Sequence, residues 1–389
     1  MMTHVSSRRA YIGKRGHRWI DSDMHLAEPA DLWGPFMDPA FAQEYRQWTP
    51  KDPHFNSLLQ PPFSASTGAI PEALISASQQ SAIKEGRYKD YLPYVAPEGG
   101  NIAPDGQVRA MEVEGIDIAV LFPTLGLAGL RDAPQSISMA LAKAYNDWLY
   151  SFCQEQPDRL KLNALVPLGD PETAAEEIRR VASLGAVSVF PITVSNGVAL
   201  RLDDPKYEPI WAEAERVKIA LGFHGSIQVH LRDRYRGSEV LTHATGRSVE
   251  HPCTFLELLF GGVLERHPSL HVAFLEAGCS WVPYWLFRAE EEWERYRKEV
   301  PELSKHVTME PVEYWRRQCW SAVEVDEWPL RSVIDLLGDE RWVISSDFPH
   351  FDSAFPQAFN RFMALEGVGD DSKRKILWDN CAALYRLPV

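Results

Sequence analysis

Missing from this 389-residue chain are paired cysteines, long apolar runs, nucleotide-binding glycine loops and an excess of basic charge. Each absence excludes something. The five cysteines, at 153, 253, 279, 319 and 381, are odd in number and widely scattered, so neither a disulfide framework nor a cysteine-rich metal knuckle fits, and reduced thiols are expected. No stretch approaches the roughly 18 apolar residues of a membrane span, and the polar, basic start MMTHVSSRRAYIGKRGHR lacks a signal peptide's apolar core. The expectation is a soluble, cytoplasmic protein. A net charge of −14 argues against nucleic acid or an anionic membrane as partner, since both attract basic patches. No GxGxxG follows the first strand-like segment and no GxxxxGK[ST] occurs, so nucleotide binding has no support. No internal repeat or low-complexity segment stands out. A small-molecule substrate and a homo-oligomer, most simply a dimer, remain as expected partners.

What is present is alternation. From position 105 onward, apolar runs of strand length (IDIAVLFPT, KLNALVPL, AVSVFPI, IALGFHG, HVAFLEAG, CWSAVEVD, WVISSDFPH) alternate with helical stretches. Unbroken apolar runs between helices mark a parallel sheet buried on both faces. With Arg18–Met24 as the first strand the count is eight, which favours a closed (β/α)8 barrel over an open sheet. Residues 26–104 break the pattern with dense proline and aromatic residues and are expected to form a cap over the barrel mouth. The whole chain, 1–389, reads as a single barrel domain with that insertion and a polar loop, 226–250, that sets specificity.

Four metal-type residues close strand-like runs: Asp23 and His25 in WIDSDMH, His224 in IALGFHG and Asp347 in WVISSDFPH. Side chains at the carboxyl ends of barrel strands converge on one face, and Asp23 and His25, two apart, point the same way. Taken singly, each has an ordinary explanation: a capped strand end, a satisfied histidine, a helix cap. Taken together, two imidazoles and two carboxylates form a site for a divalent cation. Glu276 closes the run HVAFLE on the same face, either as ligand or support for the metal or as a structural ion pair. His350 and Asp352 follow Asp347 and either orient a ligand, touch substrate or cap a helix. The 226–250 loop carries Arg232, Arg234 and His243, which bind a substrate carboxylate or simply face solvent. The tryptophans at 281, 285, 293, 315, 320 and 328 are expected in packing.

The segments WIDSDMHLAEPADLW, VLFPT, YNDWLYSFCQEQPDRL, VPLGDPETAAEEIRR, FLEAGCSWVPYWLFR and SSDFPHFDSAFP, with the strand ending in His224, resemble the amidohydrolase-related family of the amidohydrolase superfamily. That group includes aminocarboxymuconate-semialdehyde decarboxylase, resorcylate-type decarboxylases and ring-fission-product hydrolases. The resemblance implies a distorted TIM barrel with one divalent metal, zinc above all, with manganese or iron as alternatives. It places Asp23 at the first position of the usual His-x-His, His25 at the second, His224 at the strand-five ligand and Asp347 at the strand-eight carboxylate. The departure is at strand six, where many decarboxylases carry a histidine and this chain has Glu276. On that ground the expected activity is metal-dependent hydrolysis of a small cyclic or aromatic acid, amide or ring-fission product. Asp347, His224 and Glu276 are its expected catalytic residues. Decarboxylation of an aromatic or unsaturated acid is the alternative, and a non-catalytic metal-binding barrel a third.

Overall fold

The structure is a computed structural model that describes residues 16–26, 28, 32–48, 103–124, 130, 133–225, 234–235, 238–350 and 353–388. Eight strands follow one another in the order β1 (Ile20–Leu26), β2 (Ile118–Pro123), β3 (Leu160–Pro167), β4 (Ser188–Ile192), β5 (Ala220–His224), β6 (Val272–Leu275), β7 (Cys319–Val323) and β8 (Trp342–Ile344). Each pairs in parallel with the next, as in Ile20 beside Ile118, Asn163 beside Ser188, Phe223 beside Phe274 and Trp342 beside Ser321. The Ser22 hydroxyl donates to the Ile344 carbonyl at 2.8 Å, so β8 returns to β1 and the sheet curls into a nearly closed barrel. The sequence expectation of a (β/α)8 barrel is met.

The strands are apolar because helices cover one side and the barrel interior the other; every residue of β1, β2, β4, β5, β6, β7 and β8 is buried. The main outer helices are α1 (Pro104–Glu114), α2 (Gln135–Gln154), α3 (Pro171–Ser183), α4 (Glu208–Val217), α5 (Glu239–Phe260), α6 (Trp281–Tyr296), α7 (Pro311–Gln318) and α8 (Leu330–Leu337). Local signals set their ends. At α3 the Asp170 carboxylate caps the Thr173 N–H at 3.1 Å, Pro171 opens the first turn, and Gly185, at φ +92°, turns the chain toward β4.

Two sequence expectations need correction here. The polar stretch assigned to a loop, 226–250, is helical from Glu239, because Ser238 caps that end and α5 runs on through Pro252. Polar residues and an internal proline conceal this helix in the sequence. Trp328 is not packed in the core: the residue is 86% exposed. Of the expected cap, residues 49–102 lie outside the described residues, and the described part before them contains the short helices Trp33–Phe36 and Ala42–Gln47.

Candidate metal centre

Asp23, His25, His224, Glu276 and Asp347 arrive at one point from β1, β5, β6 and β8. His25 Nε2 lies 3.1 Å from His224 Nε2, 3.4 Å from Asp23 Oδ1 and 3.4 Å from Asp347 Oδ1. His224 Nε2 lies 3.4 Å from Asp23 Oδ2 and 2.9 Å from Glu276 Oε2. The histidines and Asp23 are fully enclosed at the side chain, whereas Asp347 keeps 14% of its side-chain surface toward solvent.

The backbone explains how these groups are aimed. His25 Nδ1 sits 2.8 Å from the Pro123 carbonyl, which can only accept, so in the neutral ring Nδ1 carries the proton and the Nε2 lone pair faces the cluster. The His25 N–H donates to the Phe348 carbonyl at 2.7 Å, and Gln107 of α1 donates to the His25 carbonyl at 3.0 Å. Ser345 Oγ donates to the Asp23 carbonyl at 2.7 Å and receives the Asp347 N–H at 3.0 Å. Glu276 and Asp347 both sit at left-handed φ, +56° and +54°, and turn out of their strands toward the site.

Asp23 tests whether a cation fits. Both its oxygens are buried, and neither accepts a hydrogen bond from the described residues. Burial drives its pKa well above the usual carboxylate range, opposed by the His224 imidazole and reinforced by the carboxylates of Glu276, Asp347 and Asp21. A buried carboxylate among other carboxylates, with no hydrogen bond from the described residues, is costly unless a positive charge sits beside it. Asp23, His25 and His224 present donor atoms close enough to share one ion, and so do His25, Asp347 and His350. This donor set suits a divalent metal.

His350 joins the cluster: its Nδ1 is 2.7 Å from Asp347 Oδ1, its ring stacks 3.9 Å from that of His25, and its Nε2 is 3.3 Å from Thr124 Oγ1. Of the other residues singled out in sequence, Arg234 is exposed with its guanidinium 5.5 Å from the Tyr235 ring. His243 lies on α5, and Arg232 and Asp352 lie outside the described residues. Sequence reading passed over Asp21, which accepts from the N–H groups of Asp23 (3.1 Å) and Ser346 (3.2 Å) and whose pKa burial pushes up to about 6. The signal was available: Asp21 is two residues from Asp23, on the same strand face.

A pocket of about 550 Å³ opens beside the cluster, within the range that takes a small molecule. Glu276 and Asp347 line it, together with Gly278, Trp328, Ser345 and Arg361. Behind His224, the rings of Phe122 and Phe190 pack at 5.6 and 5.9 Å.

The amidohydrolase family model matches residues 20–387. The gamma-resorcylate decarboxylase of Rhodococcus jostii (strain RHA1) is 27% identical over 335 residues, which cover 82% of this chain and 96% of that protein. The 2-amino-3-carboxymuconate-6-semialdehyde decarboxylase of Dictyostelium discoideum is 27% identical over 248 residues, 63% of this chain and 66% of that protein. Among solved structures, the 5-carboxyvanillate decarboxylase of Novosphingobium aromaticivorans DSM 12444, complexed with manganese and 4-hydroxy-3-methoxy-5-nitrobenzoic acid, superposes with a TM-score of 0.71. It is 20% identical, covering 96% of this chain and 97% of that one. These relatives are decarboxylases, and the expectation of hydrolysis is corrected on that ground. That expectation rested on Glu276 standing at the end of strand six, where many decarboxylases carry a histidine; the structure sets Glu276 Oε2 2.9 Å from His224 Nε2.

Proposed function

The chain belongs to the amidohydrolase family, and from that premise we propose that it is a metal-dependent, non-oxidative decarboxylase of an aromatic or unsaturated carboxylic acid. The observation that carries the reading is the donor cluster around Asp23, in a chain aligned with gamma-resorcylate decarboxylase over 96% of that protein.

Asp23, His25, His224 and Asp347 would hold one divalent ion, with Glu276 completing or supporting the set. Manganese is favoured over the zinc expected from sequence, because it accompanies the related 5-carboxyvanillate decarboxylase and accepts mixed imidazole and carboxylate donors. When bound, the ion would anchor the substrate's oxygen atoms and draw electron density from them. The remaining work falls to the chain. Breaking the bond between ring and carboxylate leaves an electron pair on the ring carbon, carbon dioxide departs, and a proton must reach that carbon. Asp347 faces the pocket and His350 touches its Oδ1, so this pair is placed to store and pass the proton. Phe122 and Phe190 pack against the His224 ring from the barrel interior and keep that face of the imidazole dry, which strengthens its interaction with the charged groups around it.

The test is turnover of hydroxybenzoates and unsaturated dicarboxylates in deuterated, ¹⁸O-labelled water with manganese. Decarboxylation releases one carbon dioxide per product, places deuterium on the former carboxyl carbon and leaves the organic product free of ¹⁸O. A product that incorporates ¹⁸O without gas release would overturn the reading.

A further inference from the structure

Glu276 sits on a turn, 276–280, that three side chains from outside it hold in place. His251 of α5 bonds the Leu275 carbonyl through Nε2 at 2.6 Å. The buried Ser321 hydroxyl of β7 is 3.1 Å from the Phe274 carbonyl and 2.8 Å from that of Gly278. The Glu327 carboxylate accepts the N–H of Cys279 at 2.9 and 3.0 Å, the N–H of Ser280 at 2.9 Å and the Ser280 hydroxyl. It also accepts the N–H of Glu324 in its own loop at 3.2 Å. The loops after β6 and β7, which line the same side of the pocket, are thereby tied through one carboxylate.

The turn needs such a tie. Glu276 at φ +56° and Gly278 at φ +66° are both left-handed, and a glutamate persists there only where its surroundings over-determine it. A Cβ on Gly278 would stand 2.7 Å from Glu327 Oε1, so the close approach of that carboxylate and the backbone angle both require glycine.

We propose that Glu327 is a positioning residue for the metal centre: by fixing the backbone at 279 and 280 it holds Glu276 in the conformation that sets Oε2 2.9 Å from His224 Nε2. The competing account is that Glu327 only caps the amino end of α6. A cap alters melting temperature alone; a positioning residue alters the centre. The inference rests on the cluster being the metal centre proposed above, and its test reads metal affinity and backbone geometry beside activity.

The experiment compares E327A, E327Q, G278A and the double variant E327A/G278A with the parent by manganese titration calorimetry, kcat and KM, and thermal melting. In E327A, manganese affinity and kcat should each fall about 10- to 100-fold with KM changed little, and E327Q should lie between it and the parent. G278A should act in the same direction, and the double variant should be no worse than the more severe single, since both disrupt one contact. A folded E327A that melts lower but keeps parental affinity and kcat would overturn the proposal. Should E327A fail to fold, E327Q decides by the same two measurements. Should the parent bind no manganese, the reading of the centre fails separately. A crystal structure of E327Q then decides: retention of Glu276 at φ near +56° against His224 would overturn the positioning role, and its departure would support it.

Discussion

The Asn146 carboxamide brackets Leu165, taking its N–H at 2.7 Å and giving Nδ2 to its carbonyl at 2.9 Å and to Glu177 Oε1 at 2.8 Å. A side chain of α2 thus supplies two hydrogen bonds to the backbone of β3. Asn146→Ala would strip both partners from buried groups and should cost about 2–4 kcal/mol. Urea unfolding checks this, and a loss under about 0.5 kcal/mol, the scale of an ordinary surface change, would refute it.

Removing the charge at Asp23 should separate binding from folding. In Asp23→Asn, manganese should no longer raise the melting temperature, whereas the parent gains about 2.7 kcal/mol at a metal concentration 100 times its dissociation constant. In chelator-treated protein the same variant should melt no lower than the parent, because burial already disfavours the Asp23 charge. Melting curves with and without manganese measure both arms. An undiminished metal response in the variant would count against Asp23 as a ligand.

His350 supports Asp347 through a contact of 2.7 Å while keeping 16% of its side chain exposed. His350→Gln should lower kcat about 10- to 100-fold with bound metal largely retained. Steady-state kinetics and metal content on one preparation test it, and unchanged kcat would reduce His350 to a packing role against His25.

A loss of stability in acid is expected from His271, which lies just before β6, at the amino end of the strand that Glu276 follows. His271 is mostly buried, its Nδ1 2.9 Å from the Leu384 carbonyl and its ring 4.6 Å from that of Trp320. Burial pushes its pKa down to about 4, with Arg386 and Arg341 adding repulsion. The unfolded chain, with a histidine near 6.5, therefore binds more protons than the folded one between these values. Stability from this group is complete above about pH 6.5 and is lost as pH falls toward 4. Melting temperatures across that window should fall less steeply in His271→Asn than in the parent at equal metal concentration. Parallel curves would exclude His271 as the cause.

The barrel was legible because most of its strands, such as β2, β5 and β6, are buried on both faces and so read as apolar runs, with a polar residue at or just after the end of β5 and β6. The same logic exposed His25, His224 and Asp347, since a titratable group closing such a run has little reason to be there without a partner. The start of α5 was hidden by Thr242, His243 and Pro252, which read as loop chemistry although Ser238 caps a helix. Glu327 was invisible for another reason: its acceptor role depends on the backbone of Cys279 and Ser280, 48 and 47 residues away, which no local pattern records. Reaction type was the hardest inference, because one donor set can serve hydrolysis and decarboxylation alike. A glutamate in place of histidine at the end of β6 does not separate the two reactions.

The bonds that close the barrel join residues made at opposite ends of synthesis. Ser345 meets the Asp23 carbonyl across 322 residues, and Ser346 meets Asp21 across 325. A nascent chain on the ribosome therefore presents Asp23, His25 and His224 long before Asp347 emerges. The donor set proposed for the ion would be complete only once β8 docks beside β1, so metal loading would come late in folding. A polypeptide that stops before β8 would lack Asp347 and keep at most an incomplete, weaker version of the proposed site.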